Sequence, residues 1–307
     1  MVGDGRAGLV TRVWKQDGSP LSEWIKNAVI LQCGKRQLSL VRPVVMGIVN
    51  TTPDSFSDGG CYNSLEAALR QAARLVADGA EIIDIGGEST RPGADPVSTS
   101  AELDRVVPVV AAIARELDVV ISVDTSTAEV MAESAVAGAH LINDVRALGR
   151  NGAIEAAAAS GLPICLMHMQ GQPDSMQQAP YYDSVVDEVY GFLEQRIQAC
   201  LAAGIDSSRL LVDPGFGFGK SCEHNFELMR RLQAFARLGL PILAGLSRKR
   251  MIAEVTGVIQ PTQRVTGSVA GAVICAMNGA RILRVHDVKE TVEAMKVVSA
   301  TLGVLHG

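Results

Sequence analysis

Short apolar runs end abruptly in a polar residue at eight points along the chain, and the stretches between them carry apolar residues at spacings of three and four. The runs are Val44–Val49 before Asn50, Glu81–Ile85 before GGESTRPG (86–93), Val119–Val123 before Asp124, and His140–Ile142 before Asn143. Then come Pro163–Met167 before His168, Leu210–Val212 before Asp213, Pro241–Leu243 before AGLSRK (244–249), and Arg281–Val285 before His286. Each run suits a strand buried on both faces, and each intervening stretch is long enough for a helix. Leu65, Ala68, Leu69, Ala72, Leu75 and Val76 share one helical face; Val185, Val189, Phe192, Leu193, Ile197 and Leu201 share another. Ser64 and Thr99 stand where helix N-caps are expected, and Gly79, Gly138 and Gly204 where helices end. Eight strand–loop–helix units with polar residues at one strand end predict an α/β chain folded as a (β/α)8 TIM barrel, its catalytic face assembled from eight loops.

Residues 28–42 (AVILQCGKRQLSLVR) predict a β-hairpin around a Gly34–Lys35 turn, capping the bottom of the barrel. Residues 1–20 are polar and lack periodicity, so a mobile arm is expected there. The expected organisation is an N-terminal arm and hairpin over 1–42 and one barrel over 43–307. A length of 307 residues would suit two average domains. The repeating part, from Pro43 to about Leu302, instead matches the ~250 residues of a single barrel.

Composition narrows the partners. Aromatic residues make up 4% of the chain and hydrophobic residues 48%, as doubly buried parallel strands require. A net charge of −5 weighs against nucleic acid, whose binders carry a basic face. The six cysteines (33, 61, 165, 200, 222 and 275) have no metal-ligand spacing; they read as small core hydrophobes in a reducing, cytoplasmic setting. The uncharged stretch Val265–Ala280 is shorter than the ~20 apolar residues that span a bilayer, so it predicts a buried helix and no membrane partner.

The chemistry lies in the strand-end residues. Asp124 and Asp213 each end a buried strand, where an isolated Asp could equally be a helix cap. Asn143 and Lys249 in equivalent positions turn the balance towards a ligand pocket. A carboxylate facing adjacent N–H groups of a flat heterocycle forms paired, charge-assisted hydrogen bonds, and an amide can donate and accept at the same ring. The block DPGFGFGK (213–220) is Gly-rich but lacks the P-loop pattern. Its glycines let backbone approach a planar ligand, with Phe218 as an aromatic wall. Ser247, Arg248 and Lys249 follow the seventh strand, and Arg284 and His286 belong to the eighth. Barrels commonly bind phosphate between those two loops, so a diphosphate, above all as a leaving group, fits there. Asn50 could offer an oxygen to Mg2+ carried on substrate phosphates. His140, His224 and His306 read as structural or surface residues, and His168 as pocket wall.

Taken together, MGIVNTTPDSFSDGG (46–60), DIGGESTRPG (84–93), SVDTS (122–126), INDV (142–145), MHMQGQP (167–173), DPGFGFGK (213–220), GLSRKR (245–250) and RVHDV (284–288) resemble the bacterial dihydropteroate synthase family, in order and over the whole barrel. The resemblance implies condensation of 6-hydroxymethyl-7,8-dihydropterin diphosphate with p-aminobenzoate, giving 7,8-dihydropteroate and diphosphate. This is a transferase step of folate biosynthesis and the target of sulfonamides. It implies pterin contacts from Asp124, Asn143, Val145, Met167, Asp213, Gly217, Phe218 and Lys249. Diphosphate would fall to Asn50, Thr90, Arg91, Arg284 and His286, with Mg2+ at Asn50. p-Aminobenzoate would fall to Phe56, Pro92, Ser247, Arg248 and Arg250. Asp124, Lys249, Asp213, Arg284 and His286 would carry the catalysis, and a homodimer packed through helices away from the mouth is implied.

In the implied mechanism diphosphate leaves first, Asp124 stabilises the cationic methylene, and the aniline nitrogen attacks in a water-excluded site. One departure stands out: Arg250 occupies a place where many members of the family carry Ser. Two alternatives share part of the pattern. A pterin-binding methyltransferase-like barrel has no need of the SRK and RVH residues, and a non-catalytic paralogue would bind pterin without turnover.

Overall fold

The computed structural model describes residues 29–51, 61–89, 97–171, 176 and 180–304. The expected arm over 1–20, together with Phe56, Thr90, Arg91, Pro92 and His306, lies outside them. The chain begins with β1 (Ile30–Cys33) and β2 (Arg36–Ser39), an antiparallel hairpin with Leu31 opposite Leu38. β3 (Val44–Asn50), α1 (Cys61–Ala77), β4 (Ile82–Gly86), α2 (Thr99–Glu116), β5 (Val120–Asp124), α3 (Ala128–Ala137), β6 (Leu141–Asp144), α4 (Ala153–Ser160) and β7 (Ile164–Met167) follow. The second half holds α5 (Val185–Ala202), β8 (Leu210–Asp213), α6 (Cys222–Arg230), β9 (Ile242–Ala244), α7 (Arg250–Thr256), α8 (Val265–Met277), β10 (Ala280–Val285) and α9 (Val288–Thr301). β3 to β10 are parallel, and β10 pairs with β3 to close an eight-stranded barrel.

Strand alternation decides what fills the lumen. Met46, Ile82, Val120, Leu141, Cys165, Leu211, Leu243 and Ile282 cluster with Leu31, Cys33, Leu38 and Leu40 of the hairpin. The hairpin therefore plugs the lower end, and Arg281 Nη1 fastens it by donating to Leu40 O at 3.0 Å. Two residues further along each strand, on the same face, stand Ile48, Asp84, Ser122, Asn143, Met167, Asp213, Gly245 and Arg284. The lower layer is apolar, and in the layer above it five of the eight strands place a polar residue, so those five change character within one alternation. The opposite strand faces pack against the helices in the larger core, which includes Val45, Ile83, Ile121, Ile142, Leu166, Val212 and Leu283.

Helix boundaries differ from the expected ones by a residue or a turn. Ser98, not Thr99, caps α2: its Oγ accepts from Ala101 N at 3.2 Å. α1 begins at Cys61, a turn before Ser64. Helix α8 is not buried all round. Gly271, Ala272, Cys275 and Ala276 face the barrel, while Ile274 and Met277 are exposed.

Candidate active site

Strand register sets the mouth. Asn50 pairs with Gly86, Gly86 with Asp124, Asp124 with Asn143, and Met167 with Asp213. The strand ends thus form one ring, and the last side chains of each strand line a common cup. Arg284 occupies its centre: Nη2 donates to Asp124 Oδ2 at 2.8 Å and Nε to Asp84 Oδ2 at 2.6 Å. A Cβ on Gly245 would stand in van der Waals contact with both Arg284 Cβ, at 3.7 Å, and Asp213 Oδ2, at 3.9 Å, so Asp213 and Arg284 border the same volume.

The opposite wall is the 213–221 loop. Asp213 Oδ1 accepts from Gly215 N at 2.7 Å, which turns the chain sharply after β8. Gly215 has φ +70°, and a Cβ there would meet His168 O at 1.9 Å; only glycine fits. Phe216 is fully buried beneath the loop, whereas Phe218 stands half-exposed at the mouth. Lys249 Nζ lies 4.3 Å from the centre of the Phe218 ring and donates to Phe216 O. Its stem presses against Gly217, where a Cβ would come within 2.9 Å of Lys249 Cδ. Val145 and Met167 are buried behind these groups and supply apolar wall.

The charges are strained by burial. Burial raises the Asp124 carboxyl; Arg284 opposes that, while Asp84, Asp144 and Glu102 reinforce it. Burial raises Asp213 as well, against the attraction of Lys249. For Arg284, Asp84 and Asp124 outweigh the burial that disfavours its charge and hold it above the ordinary arginine value. Lys249 is lowered to about 7 by burial, although Asp213 favours its charged form. A lysine in the unfolded chain titrates near ~10.4, so between the two values the unfolded state binds more protons and stability rises with pH. The cost is fully present below about 7. Lys249→Met should therefore raise the Tm of the ligand-free protein more near pH ~6 than near pH ~9. A Tm gain independent of pH would refute a depressed Lys249.

The rim departs from expectation. Ser247 Oγ accepts from His286 N at 3.2 Å and lies 3.1 Å from His286 Nδ1, so it belongs to the His286 side of the cup. Arg248 forms a two-pronged pair with Asp287, at 3.0 Å from Nε and 2.5 Å from Nη2. Arg250 stands on the outer face of α7 with a side chain 84% exposed, paired to Glu254 at 2.7 Å. The expected trio Ser247, Arg248 and Arg250 is thus not gathered around one carboxylate.

Two buried charges have no role in the sequence pattern. Asp84 lies in an apolar run and opens the DIGGESTRPG block, yet its carboxylate accepts from Arg284 and, at 3.2 Å, from Asn143 Nδ2. The available signal was a charge inside a doubly buried strand, which needs a partner. Lys220 closes the Gly-rich block. Its buried Nζ donates to Gly215 O at 2.9 Å and Phe218 O at 3.0 Å and meets His168 Nδ1 at 2.9 Å. Its signal is a lysine that follows the uncharged glycine-aromatic segment 214–219. His168, lowered by burial and by Lys220, stays neutral and anchors that loop. His140 accepts from Ile121 N and His224 completes the N-cap of α6, so both are structural.

Among the described residues no cluster of His, Cys, Asp or Glu could hold a metal by itself. Asn50, half-buried at the tip of β3, is a single neutral oxygen donor. That donor set suits an ion that brings most of its ligands with it.

Residues 46–286 match the pterin binding enzyme family. The chain is 58% identical to the dihydropteroate synthase of Escherichia coli strain K12 over 265 residues, 86% of this chain and 94% of that one. The Yersinia pestis dihydropteroate synthase, solved with a sulfonamide drug complex, superposes with a TM-score of 0.86 at 58% identity, covering 90% of this chain and all of the other. The Xanthomonas albilineans dihydropteroate synthase in complex with 7,8-dihydropteroate has a TM-score of 0.82 at 50% identity, with 89% and 98% covered.

Proposed function

We propose, from the premise that this chain belongs to the dihydropteroate synthase family of pterin-binding enzymes, a division of labour among the residues of its barrel mouth. The reaction is the condensation of 6-hydroxymethyl-7,8-dihydropterin diphosphate with p-aminobenzoate. The observation that carries the residue assignment is the convergence of Asp124, Asn143, Asp213, Lys249 and Arg284 on one cup. Asp213 accepts paired hydrogen bonds from the amino-pyrimidinone edge of the pterin. Asn143 and Asp124 take the rest of the ring, and Lys249 leaves Phe216 O for the ring's O4/N5 side. Phe218, Gly217, Val145 and Met167 form the slot.

In the reaction the bond between the pterin methylene carbon and the diphosphate oxygen breaks, and its electron pair leaves with diphosphate. Arg284 and His286 receive the departing charge, and anionic Asp124 stabilises the cationic methylene. The aniline nitrogen then forms the new C–N bond and loses a proton. Asn50 is the residue we assign to Mg2+, which would neutralise diphosphate charge at that end of the cup. Ser247 acts here by holding His286, while Arg248 shapes the rim through Asp287. Sulfonamides compete for the p-aminobenzoate place.

Diphosphate release should rise on adding p-aminobenzoate, in step with dihydropteroate formed. Pterin binding without release would instead fit a non-catalytic paralogue, and release indifferent to p-aminobenzoate would overturn the condensation.

We further assign a cytoplasmic homodimer. Five free described cysteines support the reducing setting, and no helix among the described residues is long and apolar enough to cross a membrane. Ile274 and Met277 on α8, with Val255 and Ile259 at the end of α7 and Val297 on α9, expose an apolar side on adjacent helices. Sedimentation should give twice the 32.4 kDa chain mass. A double Ile274→Glu, Met277→Glu variant should sediment as the monomer; an unchanged mass would place the interface elsewhere.

A further inference from the structure

Asp84 stands in the same layer of the lumen as Asn143 and Arg284, and it is fully buried in the middle of β4. Its Oδ2 nevertheless accepts from two residues that do face the mouth: Arg284 Nε at 2.6 Å and Asn143 Nδ2 at 3.2 Å. Its other oxygen, Oδ1, has no partner among the described residues. Stability alone is a poor reason for such a group, because well-packed apolar residues usually replace a buried ion pair without loss. Ile48 fills the corresponding place on the neighbouring strand β3.

We infer that Asp84 is the positioning residue of this site, a single buried carboxylate that orients both Arg284 and Asn143 for the reaction. The inference rests on the residue roles proposed above and extends them to the buried carboxylate that two of those residues share. A carboxylate can only accept and the Asn143 amide donates only through Nδ2, so Asn143 must turn Nδ2 towards Asp84 and present Oδ1 to the pterin as an acceptor. Arg284 has five N–H donors; Asp84 and Asp124 each engage one, which fixes the guanidinium plane and leaves the rest for the leaving diphosphate. Because Asp84 and Asp124 share one guanidinium, a diphosphate that draws Arg284 off Asp124 leaves it still tethered through Nε. Asp124 is then released as an anion beside the methylene at the moment positive charge forms there.

The test is a double-mutant cycle with Asp84→Asn and Arg284→Gln, read as kcat for diphosphate release. Asp84→Asn alone should lower kcat about tenfold or more, with little change in KM for p-aminobenzoate. In the Arg284→Gln background it should cost less than about twofold, because the guanidinium is gone and the amide oxygen introduced at position 84 still accepts from Asn143 Nδ2. A role in packing alone would leave the pH profile in place. Asp124 is faced by Arg284 from β10, Asp84 from β4, Asp144 from β6, Glu102 from α2 and Lys249 from the loop after β9. Removing the Asp84 charge should therefore move the acid limb of kcat to lower pH.

Multiplying losses in the cycle, or an unmoved acid limb, overturns the role of Asp84 while leaving the residue assignments standing. An Arg284→Gln enzyme of normal kcat overturns the anion assignment and with it the role of Asp84. Should Asp84→Asn fail to fold, the paired Asp84→Asn, Arg284→Met variant removes both charges together and keeps an acceptor for Asn143 Nδ2. Its kcat should match that of Arg284→Met alone; a further large loss overturns the inference.

Discussion

Asp124→Asn should lower kcat by about 10²–10³-fold, the range for removing one group aimed at transition-state charge, while pterin affinity should change far less. The substitution keeps side-chain volume and one hydrogen-bond acceptor but removes the negative charge. In the ground state the pterin is uncharged near this position, so little binding depends on that charge. At the transition state the methylene carries positive charge in a cup where few waters compete, and the missing anion is felt in full. The fold should tolerate the change, because Arg284 keeps Asp84 as a partner at 2.6 Å. The measurement is kcat for diphosphate release set beside the Kd of 6-hydroxymethylpterin. Equal losses in both would mean that Asp124 only holds the ring.

Arg284→Ala should have two large effects of different origin. Binding of the diphosphate substrate should weaken by about tenfold or more, the loss of at least one charge-assisted hydrogen bond of ~1.5–3 kcal/mol. Binding of 6-hydroxymethylpterin, which lacks the anion, should change little by comparison; similar losses for both ligands would place the arginine outside the anion site. Stability should fall as well, by roughly 3–5 kcal/mol, because truncation strands the fully buried Asp84 carboxylate. For a domain of this size that is a drop of roughly 6–20 °C in Tm. A normal Tm would show that Asp84 finds another partner or takes a proton. The two effects separate experimentally, since the first depends on the ligand and the second does not.

The architecture was readable along the chain because it obeys a local rule. A doubly buried parallel strand needs an unbroken apolar run, and the active end of a barrel strand needs a polar residue after it. All eight runs became barrel strands, and Asp124, Asn143, Asp213 and Arg284 came to line one mouth. The hairpin was equally legible, since Leu31, Cys33, Leu38 and Leu40 alternate with polar residues about a glycine turn. Helix ends were placed less well, because a Ser or Thr one position either way can cap. The exposed face of α8 was missed, because a helix of small apolar residues looks the same whether core or a second surface covers it.

What the chain could not disclose is which charge meets which. Arg284 lies 160 residues from Asp124 and 200 from Asp84, and they meet only because β10 closes against β3. Strand alternation says which face a residue occupies; the stagger of the closed barrel decides its neighbours across the lumen. The structure interleaves acids and cations, with Arg284 between Asp84 and Asp124. It also draws Arg248 to Asp287, Arg250 to Glu254 and Lys220 into its own loop. The one-dimensional pattern thus determined the barrel, its active end and most of the residues lining it. Tertiary closure alone determined the ion pairs, because hydrogen bonds and Coulomb attraction act over a few ångströms in space and carry no memory of separation along the chain.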